Sequence, residues 1–210
     1  MTYRVKETFL TLQGEGINAG RAAVFCRFSG CNLWTGREEQ RANAVCQFCD
    51  TDFVGVDGEG GGTFRSPSDL ADHVQARWQG GPDHRLVVFT GGEPLLQLDS
   101  ALLVQVRARG FEVAVETNGT RPVPEGVDWV CMSPKAGAPV IATSGHELKF
   151  IYPQSGLEPE DVEDLEFAHF LLQPMDGANR AENTTAAVQY CLTHPRWRLS
   201  LQTHKYLGIP

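Results

Sequence analysis

Residues 86–119 read LVVFTGGEPLLQLDSALLVQVRARGFEVAVETNG. The apolar start is a short buried strand that ends in Gly91 and Gly92. Leu95, Leu98, Leu102 and Val106 recur at helical spacing, so 95–108 is expected to form one amphipathic helix. FEVAVETNG, at 111–119, reads as the next strand, ending in turn residues. Strand, glycine turn, helix and strand in succession make the repeating unit of a parallel α/β sheet.

The same rhythm continues on both sides. VDWVCMSPK (127–135), HELKFIYP (146–153) and FAHFLLQP (167–174) each give a strand with polar punctuation, and RLSLQTHK (198–205) reads as a last one. Residues 180–193 form a helix with Ala187, Tyr190 and Cys191 on one face. Upstream, AAVFCRF (22–28) is a strand between Gly20 and Gly30, and Ser66 with Pro67 caps a helix running to about Trp78. Residues 32–45 read as an irregular polar insertion, and GVDGEGGG (55–62) as a mobile glycine loop. An eight-unit barrel needs about 250 residues. The 210 residues here leave room for roughly six strands. The expected fold is a single α/β domain over 1–210, a partial (β/α)6 barrel with few or shortened helices. In such folds chemistry sits at the carboxyl ends of the strands. The punctuations TGGEP, ETNG, SPK and QPMDG therefore line one mouth.

Composition narrows the partners. Lysine and arginine number 18 against 26 aspartates and glutamates, a formal charge of −8. Such a chain is a poor partner for phosphate backbones, which excludes nucleic-acid binding through a broad basic surface. No apolar run approaches the ~18 residues of a membrane span. The start, MTYRVKETFLTLQGEG, lacks the apolar stretch of a signal peptide. A cytoplasmic protein is expected, and its thiols stay reduced.

That makes the six cysteines informative. Cys31, Cys46 and Cys49 lie in CNLWTGREEQRANAVCQFCDTDF, with fourteen residues in the first gap and two in the second. Three thiolates would leave one iron of a four-iron cluster open to a ligand that is not protein. Adding Cys26 gives C-x4-C-x14-C-x2-C, which could close a structural zinc site in a non-enzymatic binding module. Strand parity weighs against zinc: Cys26 shares a face with Val24 and Phe28, opposite Arg27. Cys26 then packs beneath a helix while Arg27 points into the barrel. Cys131 and Cys191 also read as core residues.

TLQGEG (11–16), CRFSGCNLW (26–34), CQFCDTDF (46–53), TGGEPLLQ (90–97), ETNGT (116–120), SPK (133–135) and QTHK (202–205) occur in this order and span most of the chain. Together they resemble the 7-carboxy-7-deazaguanine synthase family of radical S-adenosylmethionine (SAM) enzymes. The usual superfamily spacing is C-x3-C-x2-C; the first gap here is longer, a variant found in some members of this family.

The resemblance implies a [4Fe-4S] cluster on Cys31, Cys46 and Cys49. It implies a S-adenosyl-L-methionine site formed by Phe48, Asp50, Gly91, Gly92, Ser133, Lys135, Gln173, Pro174, Met175 and Asp176, with Glu116 and Asn118 as further candidates. Glycines suit that role because backbone can approach a ligand closely. It implies 6-carboxy-5,6,7,8-tetrahydropterin as substrate, at Leu12, Gln13, Gly14, Glu15, Arg27, Thr90, His204 and the chain end at Pro210. Arg27 suits a carboxylate through its planar fork, and Glu15 can accept from ring N–H groups. Thr51 is the implied ligand of a stimulating Mg2+, ahead of Asp50 and Asp52, whose residue type equally suits capping the turn after Cys49.

The implied reaction starts with a 5′-deoxyadenosyl radical, which removes hydrogen from the pterin. Ring contraction and loss of ammonia follow, giving 7-carboxy-7-deazaguanine for queuosine and 7-deazapurine biosynthesis. That makes the enzyme a carbon–nitrogen lyase. An external electron donor such as a flavodoxin and a homodimer are implied with it. A glycyl-radical activating enzyme is the second enzymatic reading of a small chain with a cysteine triad.

Overall fold

The computed structural model describes residues 2–210. Nine strands join in one sheet of order β3-β1-β2-β4-β5-β6-β7-β8-β9. They are β1 (Tyr3–Leu12), β2 (Ala22–Phe28), β3 (Gly62–Phe64), β4 (Leu86–Gly91), β5 (Glu112–Thr117), β6 (Trp129–Met132), β7 (Ser144–Tyr152), β8 (Glu166–Pro174) and β9 (Trp197–Leu199). The helices are α1 (Pro67–Arg77), α2 (Ser100–Ala108), α3 (Arg180–Thr193) and α4 (Thr203–Leu207). From β2 through β9 every neighbouring pair is parallel. The expected partial barrel is therefore present, and it carries more strands than six. Seven strands, β2 and β4 to β9, make the parallel run, one more than expected, and two further strands lie at one edge, where β1 runs antiparallel to β2 and β3 antiparallel to β1. No helix among the described residues is long and apolar enough to cross a membrane.

The register sorts the inner wall into two tiers. Phe25, Val88, Ala114 and Trp129 lie side by side across β2, β4, β5 and β6. With buried Ala23 and Leu86 they close the narrow end with apolar side chains. Two residues further along each strand the wall becomes polar. Arg27 pairs with Thr90, and Glu116, Cys131 and Glu147 follow one another across β5, β6 and β7. The outer faces bury against helices: Val24, Cys26, Phe28, Val87 and Phe89 pack with Leu70 and Val74 of α1 and Leu102 and Val106 of α2. Met132, Leu148, Phe150 and Leu172 pack with Ala187 of α3 and Trp197, and Tyr190 and Cys191 flank them. Cys26 thus lies where parity places it. Cys131 does not share that surroundings: it is buried inside the barrel, beside carboxylates, because its register neighbours are Glu116 and Glu147.

Three expectations need correction. Residues 95–108 are not one helix. A 3-10 turn covers Pro94–Leu96, and α2 begins only at Ser100. Asp99 is the reason: its carboxylate accepts from Leu102 N at 2.9 Å and from the Tyr3 hydroxyl, so it caps α2 and anchors it to β1. A leucine every three or four residues is compatible with both arrangements, so the cap decides. RLSLQTHK is not one strand either. Thr203 turns the chain off the sheet by donating its N–H and its hydroxyl to the Gly14 carbonyl, at 2.9 and 2.8 Å, and α4 follows. The glycine loop 55–62 is not loose. Gly58 N donates to Lys6 O and Thr8 N to Glu59 O, and at Gly61 a Cβ would run into the Lys6 carbonyl. Its glycines let it lie flat along β1. At α1 the reading holds: the Ser66 hydroxyl accepts from Asp69 N at 3.1 Å, with Pro67 in the first turn.

Candidate active site

The polar tier opens into a cavity of about 420 Å³ at the carboxyl ends of the strands. Every candidate residue except Cys31 lines it. Cys31 lies just behind, against Gly92. Residues drawn from both ends of the sequence meet here because a parallel sheet delivers the end of every strand to the same rim.

The cysteine segment closes by doubling back. Leu33 O accepts from Val45 N at 3.1 Å and from Cys46 N at 3.3 Å, which returns the chain beside Cys31 after the long gap. The insertion is not featureless; it carries a 3-10 turn at Glu38–Asn43. Burial pushes the Cys31 and Cys46 thiols up, and each also feels the charge of Cys49. Among the described residues the trio of ligating atoms gathered within 4.8 Å is Glu116, Cys131 and Glu147, not the three cysteines. A tetrahedral zinc with Zn–S bonds of about 2.3 Å needs its sulfurs only about 3.8 Å apart. The three cysteine sulfurs do not gather within 4.8 Å, and Cys26 on the far face of β2 removes the fourth ligand of a closed zinc site. The residues thus fit the cluster and not the closed zinc site.

GGEP is held against this loop by contact. Gly91 has φ +150°, and a Cβ there would strike the Phe28 backbone. At Gly92 a Cβ would strike the Gly30 carbonyl and Cys31 Cβ. Glu93, which the motif reading left without a role, is fully buried. Its carboxylate accepts from Thr117 Oγ1 and Asn118 N, both at 2.8 Å, and from Leu95 N at 2.9 Å. It ties the GGEP turn to ETNG. Asn118 in turn donates to Asn32 Oδ1 at 3.1 Å, beside Cys31. Lys135 Nζ bonds Ser133 Oγ at 2.7 Å and lies 5.8 Å from the centre of the Phe48 ring. Burial lowers its pKa.

The substrate candidates collect around charges that the motif reading did not include. Lys149, 5% exposed, bonds Glu15 and, at 2.8 Å, Glu116. Burial works against its charge, but Cys131 and the three surrounding carboxylates outweigh it and raise the pKa well above the lysine range. Burial pushes Glu15 up, yet Lys149 with the Gln202 and Gln173 side chains holds its carboxyl well below the ordinary range. Glu116 shifts the other way, because burial and the charges of Glu147 and Glu15 exceed the pull of Lys149. It accepts from Gln13 Nε2 at 3.2 Å, so its side chain belongs with Gln13 and Glu15. The inner positions of β7 gave the one signal for Lys149: HELKFIY alternates charged with apolar residues.

Arg27 points into the cavity as parity requires. Its Nε bonds Glu7 at 2.6 Å, and its two Nη groups have no partner among the described residues. Asp50 and Asp176 are bridged by Lys205 Nζ at 2.8 and 2.6 Å. Asp52 pairs with Lys6 at 2.8 Å and accepts from Val54 N. Between these engaged aspartates the Thr51 hydroxyl has no partner among the described residues. His204 packs where a Gly14 side chain would be, and burial lowers its pKa. Thr11 Oγ1 donates to Pro210 O at 2.9 Å, so the chain end returns to the mouth beside β1.

A partial parallel barrel with a cysteine loop and a GGEP turn at its open rim defines a radical SAM enzyme. The Radical SAM superfamily profile matches residues 40–148, over half of the chain. The 7-carboxy-7-deazaguanine synthases of Caulobacter vibrioides and Bordetella pertussis are 67% and 66% identical over 210 residues, covering all of each chain. The crystal structure of QueE from Escherichia coli matches with a TM-score of 0.74 at 27% identity, over 97% of this chain and 95% of that one. The chain belongs to the 7-carboxy-7-deazaguanine synthase family, and this membership sets aside the glycyl-radical activating reading.

Proposed function

We propose that this cavity carries out the family reaction on 6-carboxy-5,6,7,8-tetrahydropterin, with binding roles divided along its rim. The observation that carries this reading is a single cavity joining the cysteine loop and GGEP to a guanidinium with both Nη groups unpaired. When bound, the four-iron cluster and S-adenosylmethionine supply the one-electron chemistry; Cys31, Cys46 and Cys49 would hold the cluster.

The remaining work belongs to the chain. Gly91 and Gly92 present backbone to the methionine end of the cofactor, and Phe48 with Ser133–Lys135 and Gln173–Asp176 flank its other end. Arg27 clamps the substrate carboxylate through its free Nη groups, while Glu7 fixes the angle of the fork. Gln13, Glu15 and Glu116, gathered on Lys149, offer acceptors to the guanidine-like pterin edge. Leu12, Gly14, Thr90 and His204 shape the remaining walls, and Pro210 closes the mouth against water. Thr51 is the proposed magnesium ligand: its hydroxyl is unpaired, whereas Asp50 and Asp52 are engaged by lysines. Magnesium keeps most of its shell for water and substrate, so one protein oxygen suffices. The chain is read as one domain in the cytoplasm, where its six unpaired cysteines stay reduced. An external electron donor and a homodimer rest on family resemblance.

The test is anaerobic reconstitution of wild type and Arg27→Ala with iron and sulfide, followed by a product assay with S-adenosylmethionine and the pterin. Wild type should show an iron–sulfur spectrum and form 7-carboxy-7-deazaguanine. Arg27→Ala should keep the spectrum and lose product formation at least about a hundredfold. A variant that binds the pterin as wild type does would remove Arg27 from the substrate site.

A further inference from the structure

The cysteine segment 44–53 lacks a ladder. No strand or helix covers it, and its backbone partners are the Arg41 and Leu33 carbonyls at one end and Gly30 N on Phe53 O at the other. Between these anchors, the carbonyls of Gln47 and Cys49 both accept from one group, Nη1 of Arg41, each at 3.0 Å. Arg41 comes from the 3-10 turn of the insertion.

Its own position is fixed on two further sides. Its guanidinium carbon lies 4.0 Å from the centre of the Trp34 ring, and its Nε donates to Glu38 at 2.7 Å. Trp34 is buried and meets Phe53 edge-on at 5.6 Å. Phe53, Trp34 and Arg41 therefore form a stack that starts just past Cys49 and ends back on the Cys49 carbonyl. Gln47 adds a second tie, donating to Ala42 O at 3.1 Å.

We infer that Arg41 is a positioning residue: the insertion folds back as a clamp that holds the Cys46–Cys49 loop in shape for a cluster and keeps a permanent positive charge beside it. This rests on the reading of Cys31, Cys46 and Cys49 as cluster ligands. Arginine is suited to the task because its planar group can stack on an indole while its edges donate in fixed directions. A lysine in its place keeps the charge but has neither the fork nor the flat face. The long first gap in the cysteine motif then has a purpose, namely to bring this guanidinium over the loop.

The test compares anaerobically reconstituted wild type, Arg41→Met and Arg41→Lys by two measurements, the rate of iron release to a chelator and the midpoint potential of the cluster followed by electron paramagnetic resonance. Arg41→Met should release iron about tenfold faster, because two carbonyl ties of the loop are gone. Its midpoint potential should also move to more negative values, because a reduced cluster loses a neighbouring cation. Arg41→Lys should bring the potential back while still releasing iron faster than wild type. Iron release at the wild-type rate in Arg41→Met overturns the clamp. If that variant does not fold, Arg41→Lys decides alone, and release at the wild-type rate overturns the inference. A wild-type chain that takes up no four-iron cluster would instead mean that the ligand reading itself fails.

Discussion

Gly92 has no unusual backbone angle; what it lacks is room. Its α-carbon faces the Gly30 carbonyl and Cys31, so the GGEP turn and Cys31, the first of the proposed cluster ligands, are in contact through a missing side chain. Gly92→Ala would force the two apart and strain the buried Glu93 network behind them. Thermal unfolding should report a loss on the order of 1–3 kcal/mol, and titration with S-adenosylmethionine should show binding weakened about tenfold or more. Wild-type affinity in this variant would mean that the close approach has no bearing on the cofactor. At this scale GGEP, C-x2-C and SPK were legible only together: each alone is an ordinary turn or pair, and their order along the chain and place at strand ends gave them weight. The roles of Glu93, Lys149 and Arg41 were not legible. Each works through a partner far away in sequence, such as Asn118 for Glu93 or Glu15 for Lys149.

The C-terminal element touches both of the proposed binding regions at once. Helix α4 carries His204 against Gly14, and Lys205 joins Asp50 of the cysteine loop to Asp176 after β8. Beyond it the chain end reaches Thr11. A peptide tag added after Pro210 should therefore raise KM for the pterin severalfold with little change in kcat, measured in steady state. An unchanged KM would take the chain end out of the substrate site. Element existence was readable here, since each of the ten stretches marked as strand or helix does hold one. Boundaries were less so. The helix expected from Leu95 starts at Ser100, and the last strand stops at Leu199, because an aspartate cap and a threonine bonded to Gly14 override the apolar pattern. The antiparallel strand β1 was not read at all: the register shift between Val5 and Glu7 breaks the alternation of apolar and charged residues that marks a strand.

For the whole molecule, Lys149 is where the two ends of the chain and the middle of the barrel are joined electrostatically. It binds Glu15 from the loop before β2 and Glu116 from β5, while Gln202 near the C-terminus also donates to Glu15. Because the Glu15 pKa is lowered from 4.5 in the folded state, this pair stabilises the fold at neutral pH. That stabilisation is present above the ordinary carboxylate pKa and is lost as pH falls through the folded one. Glu15→Gln should thus cost on the order of 3 kcal/mol at pH 7, and the difference from wild type should shrink steadily below about pH 4.5. Urea denaturation at a series of pH values measures it. A difference that stays constant down to pH 3 would show that Glu15 contributes by packing and not by charge.

The sequence by itself determined the class of fold, the class of chemistry and most of the rim. Alternating apolar strands and turn residues are local signals, and the motifs mark the strand ends where a parallel sheet must place its site. It also determined, through strand parity, that Cys26 and Arg27 face opposite ways. Only the tertiary structure decided what lies around those residues. Register set Cys131 among carboxylates instead of beneath a helix, and close packing made Gly92 a contact point. Long-range bonding gave Glu93, Lys149, Lys205 and Arg41 their partners. The reason is physical: periodicity and turn chemistry act over a few neighbouring residues, whereas burial, charge pairing and exclusion depend on which distant segments the sheet brings within reach.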